Sequence, residues 1–446
     1  MKLWQKTAHK ETSVIQNKIE EFTIGNDKLW DLYLAEADVK GSLAHAIMLQ
    51  SIGLLTEEEL VMLKEGLTEI QHAITEGKFI IEEGVEDVHS QIEILLTRSK
   101  GEVGKKIHSG RSRNDQSLLD IKLFLKQELT AIAKKTTLLF DTLISLSEKH
   151  KNDLLPGYTH MQLAMPSSFG LWFAAYAESL SDDLELLTAV YNVANKNPLG
   201  SGAGYGSSFP LNRELTTQLL GFESMNYNVV YAQMTRGKTE KITSMAMASI
   251  AATLSKFSMD ICLYMNQNFG FITFPAELTT GSSIMPHKKN PDVFELVRAE
   301  CNRIQALPNE LTLLTNNLPS GYHRDMQLTK ECLFPAIIKL NNCLDILTMM
   351  LKNIEVKPNL LKEDKYKNLF TVEAVNDLVL SGMPFRDAYK QVAQQVETGG
   401  FAANRTLNHV HEGSIGNLCN DKIRQRFYIS IEKIINPQQE DKQSHL

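Results

Sequence analysis

The segment Thr279-Thr-Gly-Ser-Ser-Ile-Met-Pro-His-Lys-Lys-Asn-Pro-Asp292 places serine hydroxyls and adjacent lysines directly before a helix start. Gly281 and the serines make a pliable loop, Asn290 is an N-cap residue type, Pro291 suits the first helical position, and Asp292 suits the first turn. A helix N-terminus beside the cations Lys288 and Lys289 is an anion site, because unpaired amides and the helix dipole both favour negative charge there. An ordinary capped helix behind a mobile loop explains the Asn-Pro-Asp cap alone. It does not explain Met285-Pro286 amid Ser, His and Lys.

Two further segments carry polar chemistry. His108-Ser-Gly-Arg-Ser-Arg-Asn-Asp115 is a basic turn broken by Gly110 and running into a long apolar-periodic stretch, so Arg111, Arg113 and the helix amides together suit a carboxylate. A solvated basic loop is the plainer reading of the same residues. Pro156-Gly-Tyr-Thr-His-Met-Gln162 sets the Thr159 hydroxyl beside His160 on a turn between two helical stretches. Histidine is the side chain whose ordinary titration range spans neutrality, which suits proton transfer, although a lone loop histidine is more often a surface residue.

The elements that must position these segments are helices. Leu118, Ile121, Leu125, Leu129, Ile132, Leu139, Leu143 and Leu146 fall at steps of three and four with Thr136 in the one gap, which predicts a helix over 115–150, about 50 Å long at 1.5 Å per residue. Ile242, Ala246, Ile250, Phe257, Ile261 and Tyr264 repeat the pattern over 239–268. The first proline is Pro156 and none stands between Leu211 and Phe274. No stretch alternates as a strand does and no Val/Ile run alternates with helices, so the chain reads as all-α, a bundle of long helices. Breakers at Pro156-Gly157, Asn197-Pro198 through 200–206, 279–291, 318–321 and Gly399-Gly400 mark the connections. Expected domains are a helical N-terminal piece over 1–110, the long-helix bundle over 111–360, and a smaller helical piece over 361–446. Stripes this long leave outer faces uncovered in one copy, which predicts a homo-oligomer with a shared helical core.

Composition narrows the partners. The 446 residues carry 46 Lys+Arg against 53 Asp+Glu, a net charge of −7, and are 43% hydrophobic, which excludes disorder and argues against nucleic acid or an anionic membrane as partner. Cys262, Cys301, Cys332, Cys343 and Cys419 are scattered without metal-ligand spacing, so they read as free thiols in a reducing compartment, and no metal is expected. No Gly-x-Gly-x-x-Gly fingerprint indicates a dinucleotide, so no cofactor is expected and activity should survive chelation. Lys256 and Asp260 interrupt the apolar stretch 242–265, and Lys339 and Asp345 interrupt 336–351, short of the roughly 18 clean apolar residues of a membrane span. The N-terminus lacks an apolar signal core, and a cytoplasmic location is expected.

The string Gly-Ser-Ser-x-Met-Pro-x-Lys-x-Asn-Pro resembles the signature loop of the fumarase/aspartase superfamily of lyases. With Ser-Gly-Arg-Ser-Arg-Asn-Asp and Pro-Gly-Tyr-Thr-His-x-Gln, the chain is similar to the argininosuccinate lyases within it, and the likeness runs from Lys2-Leu-Trp4 through Ile52-Gly-Leu-Leu-Thr56 and Glu86-Asp-Val-His89 to Gly382-Met-Pro-Phe-Arg386. The resemblance implies β-elimination of argininosuccinate to arginine and fumarate, in a homotetramer whose sites draw on several subunits. It implies Ser282 as the base for the Cβ proton, Lys288 as the partner of the developing aci-carboxylate, and His160, oriented by Glu295, as the source of the proton for the departing guanidine nitrogen. It further implies Ser112, Arg113, Asn114, Thr159, Asn290, Tyr322, Gln327 and Lys330 at the substrate.

The chain departs from that pattern in places. Gln5-Lys-Thr-Ala8 stands where many members carry Gly-Gly-Arg-Phe, and the family's early serine is absent where Phe22-Thr-Ile-Gly-Asn-Asp27 stands. His287 replaces a glutamine common in argininosuccinate lyases and leans toward the adenylosuccinate lyases. A catalytically silent structural relative is the non-enzymatic alternative, against which Ser282, Lys288, His160 and Glu295 stand together.

Overall fold

The computed structural model describes residues 14–435; the segments read at Lys2-Leu-Trp4 and Gln5–Ala8 lie outside the described residues. Helices α1 (Val14–Ile24), α2 (Asp27–Asp31), α3 (Ala35–Ser51), α4 (Glu57–Thr75) and α5 (Val88–Lys100) form the N-terminal layer. Then come α6 (Arg113–Lys149), a hairpin of β1 (Leu154–Thr159) and β2 (Gln162–Ser168), α7 (Phe169–Ala194), α8 (Lys238–Met265), α9 (Asp292–Thr315) and α10 (Thr329–Leu351). Helices α11 (Thr371–Leu380), α12 (Phe385–Glu397) and α13 (Asn420–Ile435) close the described chain.

The longest element is 37 residues and follows from its sequence at every level. Ser112 caps α6, its Oγ accepting from the Asn114 N–H at 3.2 Å while Asp115 Oδ1 accepts from the Ser112 N–H at 2.8 Å. All eight apolar residues of the predicted stripe are buried, and so is Thr136. That stripe packs against α7 and α10, while α8 packs against α9 and α7, and α13 lies along α7 and α6. Buried apolar residues from Leu34 to Ile434 join in one continuous core, and Val375, Ala388, Val392 and Phe401 make a small separate core under α11 and α12.

The structure differs from the sequence reading in two local places. The segment Pro156–Gln162 is half of an antiparallel hairpin, with Thr159 opposite Gln162 and only His160 and Met161 between them. Cross-strand pairing and a turn of two positive-φ residues replace the simple interhelical turn. At the other place α9 begins at Asp292, one residue later than its cap residues suggested. Pro291 is the capping position, its carbonyl accepting from the Phe294 and Glu295 amides, because Asn290 is drawn away into the loop. Among the described residues α8 and the stretch Arg324–Leu351 are long and apolar enough to cross a membrane, and half of each such window is buried within the bundle.

Candidate active site

A cavity of about 150 Å³ opens where α2, the start of α6 and the approach to α10 meet. Arg113, Asn114, Tyr322, Gln327 and Lys330, all named from the sequence, line it together with Asp27, Asp31, Glu86, Asp87, Arg236 and Arg324. Residues more than 200 positions apart are gathered because the capped first turn of α6 faces the short turn preceding α10. Ser112 stands outside the lining and holds that first turn in place.

The lining is a lattice of alternating charge. Arg113 donates to Glu86 at 3.2 Å and to Asp87, and Arg324 reaches Glu86 at 3.0 Å. Burial weakens the Arg113 charge, but the carboxylates of Asp87 and Glu86 outweigh it and raise its pKa. Buried Lys330 lies 2.6 Å from Asp27 and also pairs with Asp31. Burial, with Asp31 beside it, pushes the Asp27 carboxyl up to about 6 against the pull of Lys330. Gln327 donates to the Thr23 and Ile24 carbonyls, each at 3.1 Å, which ties α1 to the cavity rim. The buried guanidinium of Arg236 binds Glu240 at 2.9 Å and the Met326 carbonyl at 2.8 Å.

From His89, which also lines the cavity, a buried network runs inward. His89 pairs with Asp38 and, at 3.3 Å, with Asp120. Burial alone would strip its proton, but the two carboxylates hold its pKa up to about 10. Asp38, His89 and Asp120 are close enough to chelate a cation, but burial and the neighbouring Asp38 push the Asp120 carboxyl well up toward its neutral form, which leaves Asp38 to pair with protonated His89. Asp115 fastens the turn on its other side, accepting from the Gly200 and Gly202 amides at 3.0 and 2.8 Å. Both glycines adopt positive φ, 85° and 60°, which presents their N–H groups to one carboxylate oxygen.

The remaining sequence-predicted residues lie apart from this cavity. Thr159 and His160 are exposed at the hairpin tip, and His160 and Met161 both adopt positive φ, 52° and 60°. Such a conformation is costly for residues with side chains and is kept where the surroundings require it. Ser282, Lys288 and Asn290 belong to the loop 279–291, whose ends are joined by a Thr280–Asn290 bridge and by Asn290 Nδ2 donating to the Gly281 carbonyl at 3.3 Å. Ser282 Oγ accepts from the Met285 N–H at 3.2 Å, with the Ile284 N–H at 3.4 Å. Glu295 is exposed in the first turn of α9 and makes no ion pair with His160 among the described residues.

Sequence reasoning missed Asp27, Asp31, Arg236 and Arg324. The spacing of Asp27 and Asp31, four apart, was a usable signal, since it puts both carboxylates on one face of a helix.

Comparison with known proteins extends the picture. Residues 19–306 match the lyase family. The chain is 59% identical over 422 residues to an argininosuccinate lyase of Parabacteroides distasonis, covering 95% of this chain and 94% of that protein. It is 57% identical over 431 residues to an argininosuccinate lyase of Bacteroides fragilis, covering 97% and 95%. Among solved structures it resembles EDDS lyase in complex with formate, with a TM-score of 0.73, 21% identity and coverage of 93% and 90%. It also resembles the class II fumarase of Schistosoma mansoni, with a TM-score of 0.72, 16% identity and coverage of 94% and 95%; the fold is that of the fumarase/aspartase superfamily.

Proposed function

Because the chain belongs to the lyase family and, within it, to the argininosuccinate lyases, it is a C–N lyase that releases arginine and fumarate from argininosuccinate, and we propose how its residues divide that work. The cavity binds and the two exposed segments react. The observation that carries this reading is the gathering of Arg113, Asn114, Tyr322, Gln327 and Lys330 around one polar cavity, which suits a substrate bearing three carboxylates, an ammonium and a guanidinium.

Ser282 takes the Cβ proton. A serine hydroxyl is a weak base, but backbone N–H groups directed at Oγ stabilise negative charge on that oxygen. Removing the proton places a second negative charge on the neighbouring carboxylate, and Lys288 with the start of α9 supplies the fixed positive field it needs. The electron pair then forms the Cα–Cβ double bond of fumarate as the C–N bond breaks. His160 delivers a proton to the leaving guanidine nitrogen, with Glu295 orienting it.

The site residues lie in separate places on one chain, and several long-helix residues expose apolar side chains, among them Leu138 at 58%, Leu296 at 66% and Leu313 at 64%. These support a homotetramer in which hairpin tip, loop and cavity of different copies meet. The free thiols support a reducing, cytoplasmic setting.

The test is release of fumarate, followed by its ultraviolet absorbance, when pure protein meets argininosuccinate or adenylosuccinate. Fumarate from argininosuccinate alone is expected. Release from adenylosuccinate alone would overturn the substrate assignment.

A further inference from the structure

Lys122, in the N-terminal half of α6, is a fully buried lysine that the mechanism does not use. It makes no ion pair among the described residues, and Glu240, the acid whose field reaches it, is taken by Arg236 at 2.9 Å. Burial pushes its pKa down to about 7, so the ammonium is held here at a cost in desolvation. An apolar side chain of similar length would fill the space without that cost. What the ammonium gains is two neutral acceptors, for it donates to Asn226 Oδ1 at 2.6 Å and to the Lys196 carbonyl at 3.0 Å. These acceptors stand at the two ends of the segment 196–226, whose strands Lys196–Asn197 and Ser224–Met225 pair in parallel. Within the segment Arg213 donates to the Leu199 and Asn226 carbonyls, each at 2.8 Å, and the Asn226 N–H donates to the Asn197 carbonyl at 2.9 Å. The residues that follow are Gly200 and Gly202, whose amides hold Asp115 Oδ2, while Asp115 Oδ1 holds the Ser112 N–H. Asp115 and Lys122 therefore grip one loop from two points on the same face of α6, with opposite charges. A run of hydrogen bonds leads from Lys122 to the turn that carries Arg113 and Asn114 into the cavity.

Resting on the reading of this cavity as the substrate site, we infer that Lys122 is a positioning residue for argininosuccinate binding. Its ammonium clamps the ends of the 196–226 segment, which keeps the Gly200 and Gly202 amides aimed at Asp115 and the first turn of α6 set for the substrate. Lys122 touches no substrate and moves no proton. Its loss is felt in binding and not in the chemical step, since Ser282, Lys288 and His160 belong to other segments.

The test is steady-state cleavage of argininosuccinate by full-length variants, with the Tm of each. Lys122→Met, similar in length and uncharged, is expected to raise KM about tenfold or more with kcat within about twofold, tenfold being the scale of one charge-assisted hydrogen bond. Lys122→Arg keeps the charge and can donate to both acceptors, so its KM should stay within about threefold of wild type. Combining Lys122→Met with Asp115→Asn should raise KM no further than the larger single effect, because both changes cut one route. A lysine that only supports the fold gives other results: a lower Tm with KM unchanged, Lys122→Arg no better than Lys122→Met, or single effects that multiply in the double variant. Each of these would overturn the inference. Should the Lys122 variants not fold, hydrogen exchange of the wild type decides. Binding of arginine with fumarate should slow exchange of the amides in 196–206, because coupling between two sites is reciprocal, and no slowing would overturn the inference. Failure of the wild type to cleave argininosuccinate would instead remove the reading on which the inference rests.

Discussion

Ser282 illustrates how a residue that looks unpromising by type gains a role from its loop. Its hydroxyl is an ordinary one in the sequence, and the Met285 amide that accompanies it is visible only once the loop is folded. Ser282→Ala is expected to lower kcat by several orders of magnitude with KM nearly unchanged, since proton removal is felt in the transition state and not on binding. Lys288→Met should impair both parameters, because its charge also attracts the ground-state carboxylate. Steady-state kinetics of the two variants checks this, and a Ser282→Ala enzyme with normal kcat would remove the residue from the chemistry. His89 makes a different kind of prediction. Its pKa is raised to about 10, so its ion pair with Asp38 contributes fully below its ordinary value of 6.5 and is lost as pH rises through about 10. His89→Leu, which leaves the buried Asp38 carboxylate unpaired, should cost about 3–5 kcal/mol near pH 6. The gap in Tm between wild type and variant should close as pH rises toward 10, and a gap that widens would contradict the assignment.

The long helices were legible because period and burial agree along their whole length. The stripe from Leu118 to Leu146 needed no tertiary information, and the ends predicted at 115 and 150 fall within two residues of Arg113 and Lys149. Proline was a less faithful guide, since Pro308 stands inside α9 and Pro335 inside α10. The hairpin at 154–168 escaped notice for a physical reason. Its turn is made of His160 and Met161, not the Asn-Gly type that signals such a hairpin, and its strands bury irregularly. The α6–α7 contact supplies a test at this scale. A Cβ on Gly170 would lie 2.6 Å from Lys151 Cα and 2.7 Å from the Ser147 carbonyl oxygen, both backbone atoms that cannot turn aside. Gly170→Ala is therefore expected to destabilise the bundle by about 1–3 kcal/mol, read as a fall in Tm. An unchanged Tm would mean the helices separate more easily than their packing indicates.

For the molecule as a whole, the sequence named residues that line one cavity together but not the charge lattice around them. Arg113, Asn114, Tyr322, Gln327 and Lys330 were named before any geometry and meet at one cavity, whereas the acids that pair with them come from α2 and from Glu86-Asp87, and such pairing depends on tertiary contact. His160 and Ser282 remain on separate exposed segments. The proposed tetramer unites them with the cavity. The direct measurement is the activity of hybrids formed by dissociating and reassembling inactive His160→Asn and Ser282→Ala proteins together. Because some sites in a mixed tetramer would receive a wild-type histidine from one copy and a wild-type serine from another, activity is predicted to return to part of the wild-type level. Hybrids that stay inactive, with mixing confirmed by mass, would contradict it and place both residues on the same subunit of each site.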